Sequence, residues 1–306
     1  MKSITEAQDL NGKRVLVRVD WNVPIKDGVV INSFRIKESL PTLEYLKNAG
    51  AKVIIATHLE KGDVELLQQF VPEGARLLPN LRENPGEENN SEDFARELAS
   101  GVDIYVNEAF SVSHRNHASI ITLPKILPSY AGLRLVREVA ELSKAFYPPH
   151  PFLLLLGGAK IETKLPLLER FSNIADSIFI GGAMAKSAAT MPFANNPKIF
   201  FPTGDLSALD ANAETLEILK AKIVEAKFII WNGPLGQYET GYVQYTEELA
   251  MVLAEAKASV IVGGGDTLAV IQNLNILDKF SFVSTGGGAM LAFLAQGTLP
   301  GIEALK

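Results

Sequence analysis

At 306 residues the chain exceeds what one hydrophobic core usually serves, so two domains are expected. With 47% apolar residues, 21% charged residues and a net charge of −6 it reads as an ordinary globular protein, which excludes generic nucleic-acid binding, and no apolar run is long enough to span a bilayer. The absence of cysteine excludes disulfides, thiolate metal sites and thiol nucleophiles, and with a start, MKSITEAQDL, lacking a leader-like apolar core, it makes a cytoplasmic location the expectation.

In chain order, RVLVRVDW (14–21), AKVIIATHL (51–59), VDIYVNEAF (102–110), PFLLLLGG (151–158), DSIFIGGAM (176–184), KFIIWNGP (227–234), SVIVGGGD (259–266) and FSFVSTGGG (280–288) read as buried strands. Their apolar character is continuous rather than alternating, as in parallel strands covered on both faces. Helices are expected between them, for example SLPTLEYLKNAG stopping at Gly50, and SEDFARELASG opening on Ser91 as N-cap and stopping at Gly101. Strands alternating with helices predict an α/β fold. Eight of the 24 glycines fall in the first 150 residues and sixteen in the rest, and YPPHPF (147–152) stiffens the chain near that shift, so a domain boundary is set near residue 150.

In the second half the glycines gather where strands end: GGAK (157–160), GGAMA (181–185), NGPLG (232–236), GGGDT (263–267) and TGGGA (285–289). Such loops along one carboxyl edge bring backbone N–H groups and helix N-termini toward a phosphate, which predicts a polyphosphate cradle. Neither a Walker-type loop nor a G-x-G-x-x-G fingerprint is present. Lys160 and Lys164, four apart after the first of these loops, are expected on one face of a helix's first turns, where their charge opposes the dipole unless an anion is bound. Asp266 reads either as a magnesium contact or as a helix N-cap, a role Thr267 could also fill. NEAFSVSHRNHAS (107–119) places two of the four histidines around one arginine, by itself a polar loop after a strand.

KRVLVRVDWNVP with Arg35 following, THLEKG, NLRENPGEE, VNEAF with HRNHAS, PFLLLLGGAKIETK, FIGGAMA, FIIWNGPLGQYE, VGGGDT, VSTGGGA and LPGIEAL, in that order and from end to end, resemble the phosphoglycerate kinase family. The resemblance implies two α/β domains with parallel, Rossmann-like three-layer sheets facing across a hinged cleft: residues 1–150 for 3-phosphoglycerate, 151–290 for the nucleotide, and 291–306 returning to the first domain. It implies reversible phosphoryl transfer between MgATP and the carboxylate of 3-phosphoglycerate, giving 1,3-bisphosphoglycerate and ADP, by a monomer with no nucleic-acid or membrane partner. Carried over by position, Asp20 and Asn22 bind the glycerate end, and Arg35, His58, Lys61, Arg115 and His150 form a basic patch, with His114 and His117 orienting the loop. Arginine suits this because its planar fork grips an anion through two hydrogen bonds.

For the nucleotide the resemblance implies contacts from Lys160, Lys164, Gly181, Gly182, Glu239, Gly264, Gly265, Asp266 and Thr267. Asp266 serves Mg2+ and Glu239 the ribose, although by itself Glu239 is a surface-loop acid. Gly286, Gly287 and Gly288 meet the transferring phosphoryl group, with Arg35 and Lys164 neutralising developing charge. The chain departs from the family by lacking material after Lys61 and between Met184 and Phe201. Lys61 and His150 stand where arginine is usual, and Thr163 where aspartate is usual, which suggests an interdomain pair lost as a unit. Two other readings stay open: a kinase for another small carboxylate or phosphorylated acid, and a non-catalytic nucleotide-binding paralogue.

Overall fold

Each of the eight aliphatic runs forms a strand in the computed structural model, which describes residues 1–306, and the result is two all-parallel sheets plus one small hairpin. The chain divides into two compact units, Met1–Ala140 with Thr298–Lys306, and Glu141–Gly297. The first division falls inside the helix Leu133–Ser143 and not at the prolines around residue 150. No helix is long and apolar enough to cross a membrane.

The first unit carries β1 (Arg14–Arg18), β2 (Ile25–Lys26), β3 (Val29–Val30), β4 (Lys52–Ala56), β5 (Arg76–Leu77), β6 (Ile104–Asn107) and β7 (Ser129–Ala131). Its sheet runs β5-β4-β1-β6-β7. The winding reverses between β1 and β6, so the carboxyl ends of β1, β4 and β6 surround the switch point where such sheets bind ligands. Val17 pairs with Ile55 on one side and Val106 on the other, and this face of the sheet shares a core with Ile36, Leu43 and Leu46 of the helix Phe34–Asn48. Gly50 ends that helix in the left-handed region at φ 78°. Ser91 opens the helix Glu92–Ala99 by accepting from Phe94 N–H at 3.4 Å. The segment Thr298–Lys306 packs here through the Gly301 N–H, which donates to Ser113 C=O at 2.8 Å.

At the end of β6, Glu108 caps a helix it does not belong to. Its carboxylate accepts from Arg134 N–H at 3.0 and 3.1 Å, from Leu135 N–H at 3.3 Å, and from the Thr42 hydroxyl. Burial pushes this carboxyl up to about 8, against the downward pull of those donors and of the Arg134 guanidinium. A folded-state value above the unfolded one stabilises the protein fully below the unfolded value, and that contribution is lost as pH rises through the folded value. Urea unfolding of wild type is therefore expected to show stability falling between pH 4.5 and about 8 from this group, and Glu108→Gln to remove that part of the slope.

The second unit carries β8 (Phe152–Leu156), β9 (Ser177–Ile180), β10 (Ile199–Phe200), β11 (Phe228–Asn232), β12 (Ser259–Gly263) and β13 (Phe282–Val283), in the order β10-β9-β8-β11-β12-β13. Here the winding reverses between β8 and β11, whose last residues Leu156 and Asn232 lie side by side in register. The two shortened stretches are spare: a 3-10 segment, Val64–Phe70, precedes β5, and the helix Ala185–Ala188 with the turn Pro192–Asn195 precedes β10.

Beyond the strands the glycine loops pack backbone on backbone. Gly157 N–H donates to Asn232 C=O at 2.9 Å and Gly158 N–H to Pro234 C=O at 3.0 Å, leaving so little room at Gly157 that a Cβ would overlap the carbonyl oxygens of Pro234 and Gly233. Gly157→Ala is expected to destabilise the protein by about 1–3 kcal/mol in urea unfolding through this overpacking. Gly265→Ala, where nothing lies within 4 Å, should shift stability far less.

Candidate active site

At the switch point of the first sheet, the turn after β1 buries Asp20. Its carboxylate accepts from Asn22 N–H at 3.1 Å and from the Ser111 hydroxyl, and lies 3.1 Å from the Arg35 guanidinium. Burial pushes Asp20 up, but the Arg35 guanidinium, with the Ser111 hydroxyl and Arg18, carries it below the usual carboxylate range, so it is an anion at neutral pH. Arg35 also donates to the Asn22 carbonyl at 3.0 Å and keeps 30% of its side chain exposed, while the Asn22 amide oxygen accepts Glu60 N–H at 3.1 Å. Asp20, Asn22 and Arg35 thus form one rigid acid–amide–guanidinium constellation.

His58, two residues beyond β4, is buried beside it, with Nδ1 3.8 Å from Asp20 and 3.2 Å from Arg18. Burial and Arg18 hold it down to about 3, and its Nε2 is buried without a protein partner. Arg115 is half-buried on the loop after β6, and its charge reaches His58, His114 and His117. Burial lowers both of those histidines, and the Nδ1 of each is buried without a hydrogen-bond partner. Lys61 is exposed on the loop after β4.

His150 belongs to the second unit, where its Nδ1 lies 2.6 Å from the Asp176 carboxylate. Thr163 is in that unit too, donating to Lys160 C=O at 2.9 Å, so the two substituted positions stand within one unit rather than in two. Three charged residues that sequence reasoning passed over occupy the first unit's site. Arg82 has Nε and Nη2 buried with no hydrogen-bond partner while Nη1 pairs with Glu88 at 2.6 Å. Arg18 and Glu87, both fully buried, pair at 3.7 Å. A charge inside the apolar run of β1 was the readable signal, since a fully buried arginine requires a partner.

In the second unit the glycine loops bring helix starts together. The helices Gly265–Asn273 and Gly287–Gln296 begin at Gly264 and Gly286, neither with a side-chain cap, and a Cβ on Gly287 would sit 2.7 Å from Gly264 Cα. Two positive dipole ends with free N–H groups therefore lie side by side. Asp266 is not the cap expected as one alternative, because Gly264 holds that position, and Thr267 is buried with its hydroxyl accepting Gly233 N–H at 2.9 Å. Asp266 and Glu239 line a cavity of about 170 Å³ with Gly158, Pro234 and Tyr238, and burial and the nearby Glu239 raise the Asp266 carboxyl.

The lysines depart from the helical placement read from the sequence. The helix begins at Leu165, Lys164 is its N-cap and Lys160 lies in the turn before it, because Pro166 fits only the first turn and sets the start there. Lys164 is buried, its Nζ 3.5 Å from Lys160 C=O, and burial lowers its pKa; Lys160 is exposed. Gly181 is buried, and Gly182 takes a left-handed φ of 69° where a Cβ would press on Gly158.

The sequence model of the family described as phosphoglycerate kinase matches residues 4–71, 62–196 and 186–297. The chain belongs to the phosphoglycerate kinase family. It is a kinase, with small-molecule substrates that include a nucleotide. The phosphoglycerate kinase of Dictyoglomus turgidum is 36% identical over 383 residues, covering 98% of this chain and 97% of that protein, and that of Fervidobacterium nodosum is 35% identical over 385 residues, covering 97% and 96%. These alignments are longer than the chain itself, so gaps fall on its side, and the family match breaks at 62–71 and 186–196, the two stretches read as shortened. Among solved structures, phosphoglycerate kinase from Pyrococcus horikoshii OT3 matches with a TM-score of 0.85 at 27% identity, covering 100% of this chain and 98% of that one. The Coxiella burnetii enzyme matches with a TM-score of 0.83 at 29% identity, covering 99% and 98%. The phosphoglycerate kinase fold thus accommodates both shortenings without losing its sheets.

Proposed function

We propose that the chain catalyses reversible phosphoryl transfer between MgATP and the carboxylate of 3-phosphoglycerate, giving 1,3-bisphosphoglycerate and ADP. The observation that carries this reading is the Asp20–Asn22–Arg35 constellation, an anion, an amide and a cation locked together where a hydroxy acid needs an acceptor and donors. Asp20 accepts from the substrate hydroxyl, and Arg35 faces the carboxylate. The phosphate is held by Arg82, Arg115, Lys61 and the Nε2–H of His58. His150 is engaged by Asp176 within the second unit. Arg82 joins the set, since its Nε and Nη2 are buried without a hydrogen-bond partner, and such donors are costly until an anion accepts from them.

The second unit binds the nucleotide phosphates through N–H groups at Gly264–Gly265 and Gly286–Gly288, with Lys164 and Lys160 supplying charge and Glu239 the ribose contact. Burial disfavours the Lys164 ammonium, and an anion beside it restores that charge. Magnesium keeps most of its oxygen ligands from water and phosphate and needs few from the protein, so of the two cavity carboxylates Asp266, at the start of the helix Gly265–Asn273, would hold it. When bound, the ion neutralises phosphate charge. In the transfer, a substrate carboxylate oxygen bonds to the γ-phosphorus as the bond to the bridging oxygen breaks, and ADP leaves with that electron pair. No proton moves, so no general base is required; positioning and charge neutralisation carry the rate.

A second reading, a kinase for a different small acid, draws on exposed Lys61 and on the engagement of His150 by Asp176, which thin the expected patch. ADP formation measured with a panel of hydroxy and phosphorylated acids separates the two. The proposal expects 3-phosphoglycerate to be the preferred acceptor, and a tenfold preference for another acid would replace it.

A further inference from the structure

Arg18 lies on β1 with its side chain fully buried, and every direction of its guanidinium is specified. Its Nε donates to Ser119 Oγ at 2.8 Å, its Nη1 to Val19 C=O, and its Nη2 stands 3.2 Å from Nδ1 of His58 and 3.7 Å from Glu87. Glu87 fixes the arrangement from behind. It accepts Ser119 N–H at 2.9 Å and the Ser119 hydroxyl at 2.6 Å, and the Tyr105 hydroxyl ties the same residue by donating to Ser119 C=O at 2.7 Å.

A guanidinium can only donate, so the His58 Nδ1 facing it must accept. The ring proton then sits on Nε2. The opposite tautomer would set an Nδ1–H against the Arg18 donor, and the 3.8 Å from Nδ1 to Asp20 is too long for a compensating bond. We propose that Arg18, anchored by Glu87 and Ser119, is a positioning residue that holds His58 as a neutral Nε2–H donor for the anionic end of the substrate. The Nε2–H is buried with no protein acceptor, and such a donor is costly until an oxygen anion accepts from it. The charges around His58 agree: Arg18, Arg82 and Arg115 oppose its protonation and only Asp20 favours it. The basic patch thus contains one donor without a charge, fixed by a neighbour that does not touch the ligand.

The proposal rests on the functional reading above only for the identity of the ligand. Its test is 15N NMR of protein labelled at histidine, where only four residues contribute and His58→Gln assigns the signal. Without ligand, His58 is expected to show the one-bond proton coupling on Nε2 and none on Nδ1, unchanged between about pH 5 and 8. A proton on Nδ1, or a cationic ring in that range, overturns the proposal. Removing Arg18 alone would strand the Glu87 carboxylate, so the informative variant is Arg18→Met with Glu87→Gln, which removes both charges. In it the His58 signal should become a mixture of tautomers, and KM for 3-phosphoglycerate should rise about tenfold or more with kcat changing less, as expected for one mispositioned charge-assisted donor. Persistence of the pure Nε2–H form in that variant also overturns it. If the ligand-free tautomer is as stated but 3-phosphoglycerate leaves the Nε2 proton unmoved, the ligand role assigned to His58 fails, and the substrate assignment is then judged separately by the acceptor panel.

Discussion

Arg35→Ala lowers kcat/KM for 3-phosphoglycerate by about 10–10⁴-fold, the loss of one or two charge-assisted hydrogen bonds at roughly 1.5–3 kcal/mol each. The arginine donates to the Asn22 carbonyl and pairs with Asp20, so its orientation toward a substrate carboxylate is set before the ligand arrives. Arg35→Lys should recover only a small part of this, because an ammonium on a flexible stem cannot reach Asp20, the Asn22 carbonyl and the ligand at once. Steady-state kinetics on both variants, with unfolding midpoints to show that they fold, decide the matter. An Arg35→Ala enzyme within threefold of wild type would remove Arg35 from the site.

Glu87→Ala is the largest expected loss of stability, about 3–5 kcal/mol by urea unfolding, because it leaves the Arg18 charge buried without its partner. Arg18 and Glu87 are both fully inaccessible, and Glu87 also accepts both donors of Ser119. Glu88→Ala next to it is the comparison. That side chain is 57% exposed and pairs with Arg82 at the surface, so its loss should cost less than about 1 kcal/mol. Equal effects for the two neighbours would mean that the buried pair contributes no more than an exposed one.

How far these features could be read from sequence depends on the range over which they act. The eight strands read from the sequence were legible because each lies in a largely apolar run, even β13 with only two residues, and Gly50 and Ser91 marked helix ends through local backbone chemistry. The strands β5, β7 and β10 were not, since two or three residues are too few to carry a period. The β2–β3 hairpin had a local signal that went unused: Asp27-Gly28 adopts positive φ at both positions, 52° and 76°, as a two-residue turn requires.

In the candidate site, the glycine loops were visible as strand ends, but not what demands several of the glycines. Gly157 and Gly287 admit no side chain because other loops press on them, a tertiary fact. The Arg18–Glu87 pair joins residues far apart in the chain, and Arg82 lay within a recognised motif without drawing notice, because only packing shows that two of its guanidinium donors are buried. His150 was placed in the basic patch by resemblance to the family, whereas its partner Asp176, from the turn leading into β9, is far from it in sequence.

The central claim is that the first unit holds the acid and the second the nucleotide phosphates. Hydrogen exchange measured by mass spectrometry, with 3-phosphoglycerate alone and with MgADP alone, tests it most directly. The account predicts that 3-phosphoglycerate slows exchange in peptides covering residues 20–35, 57–61, 80–84 and 111–119, and that MgADP slows it in those covering 157–164, 233–240, 263–267 and 285–288. Protection of the glycine loops by 3-phosphoglycerate with none at Asp20–Arg35, or of the first unit alone by MgADP, would contradict it.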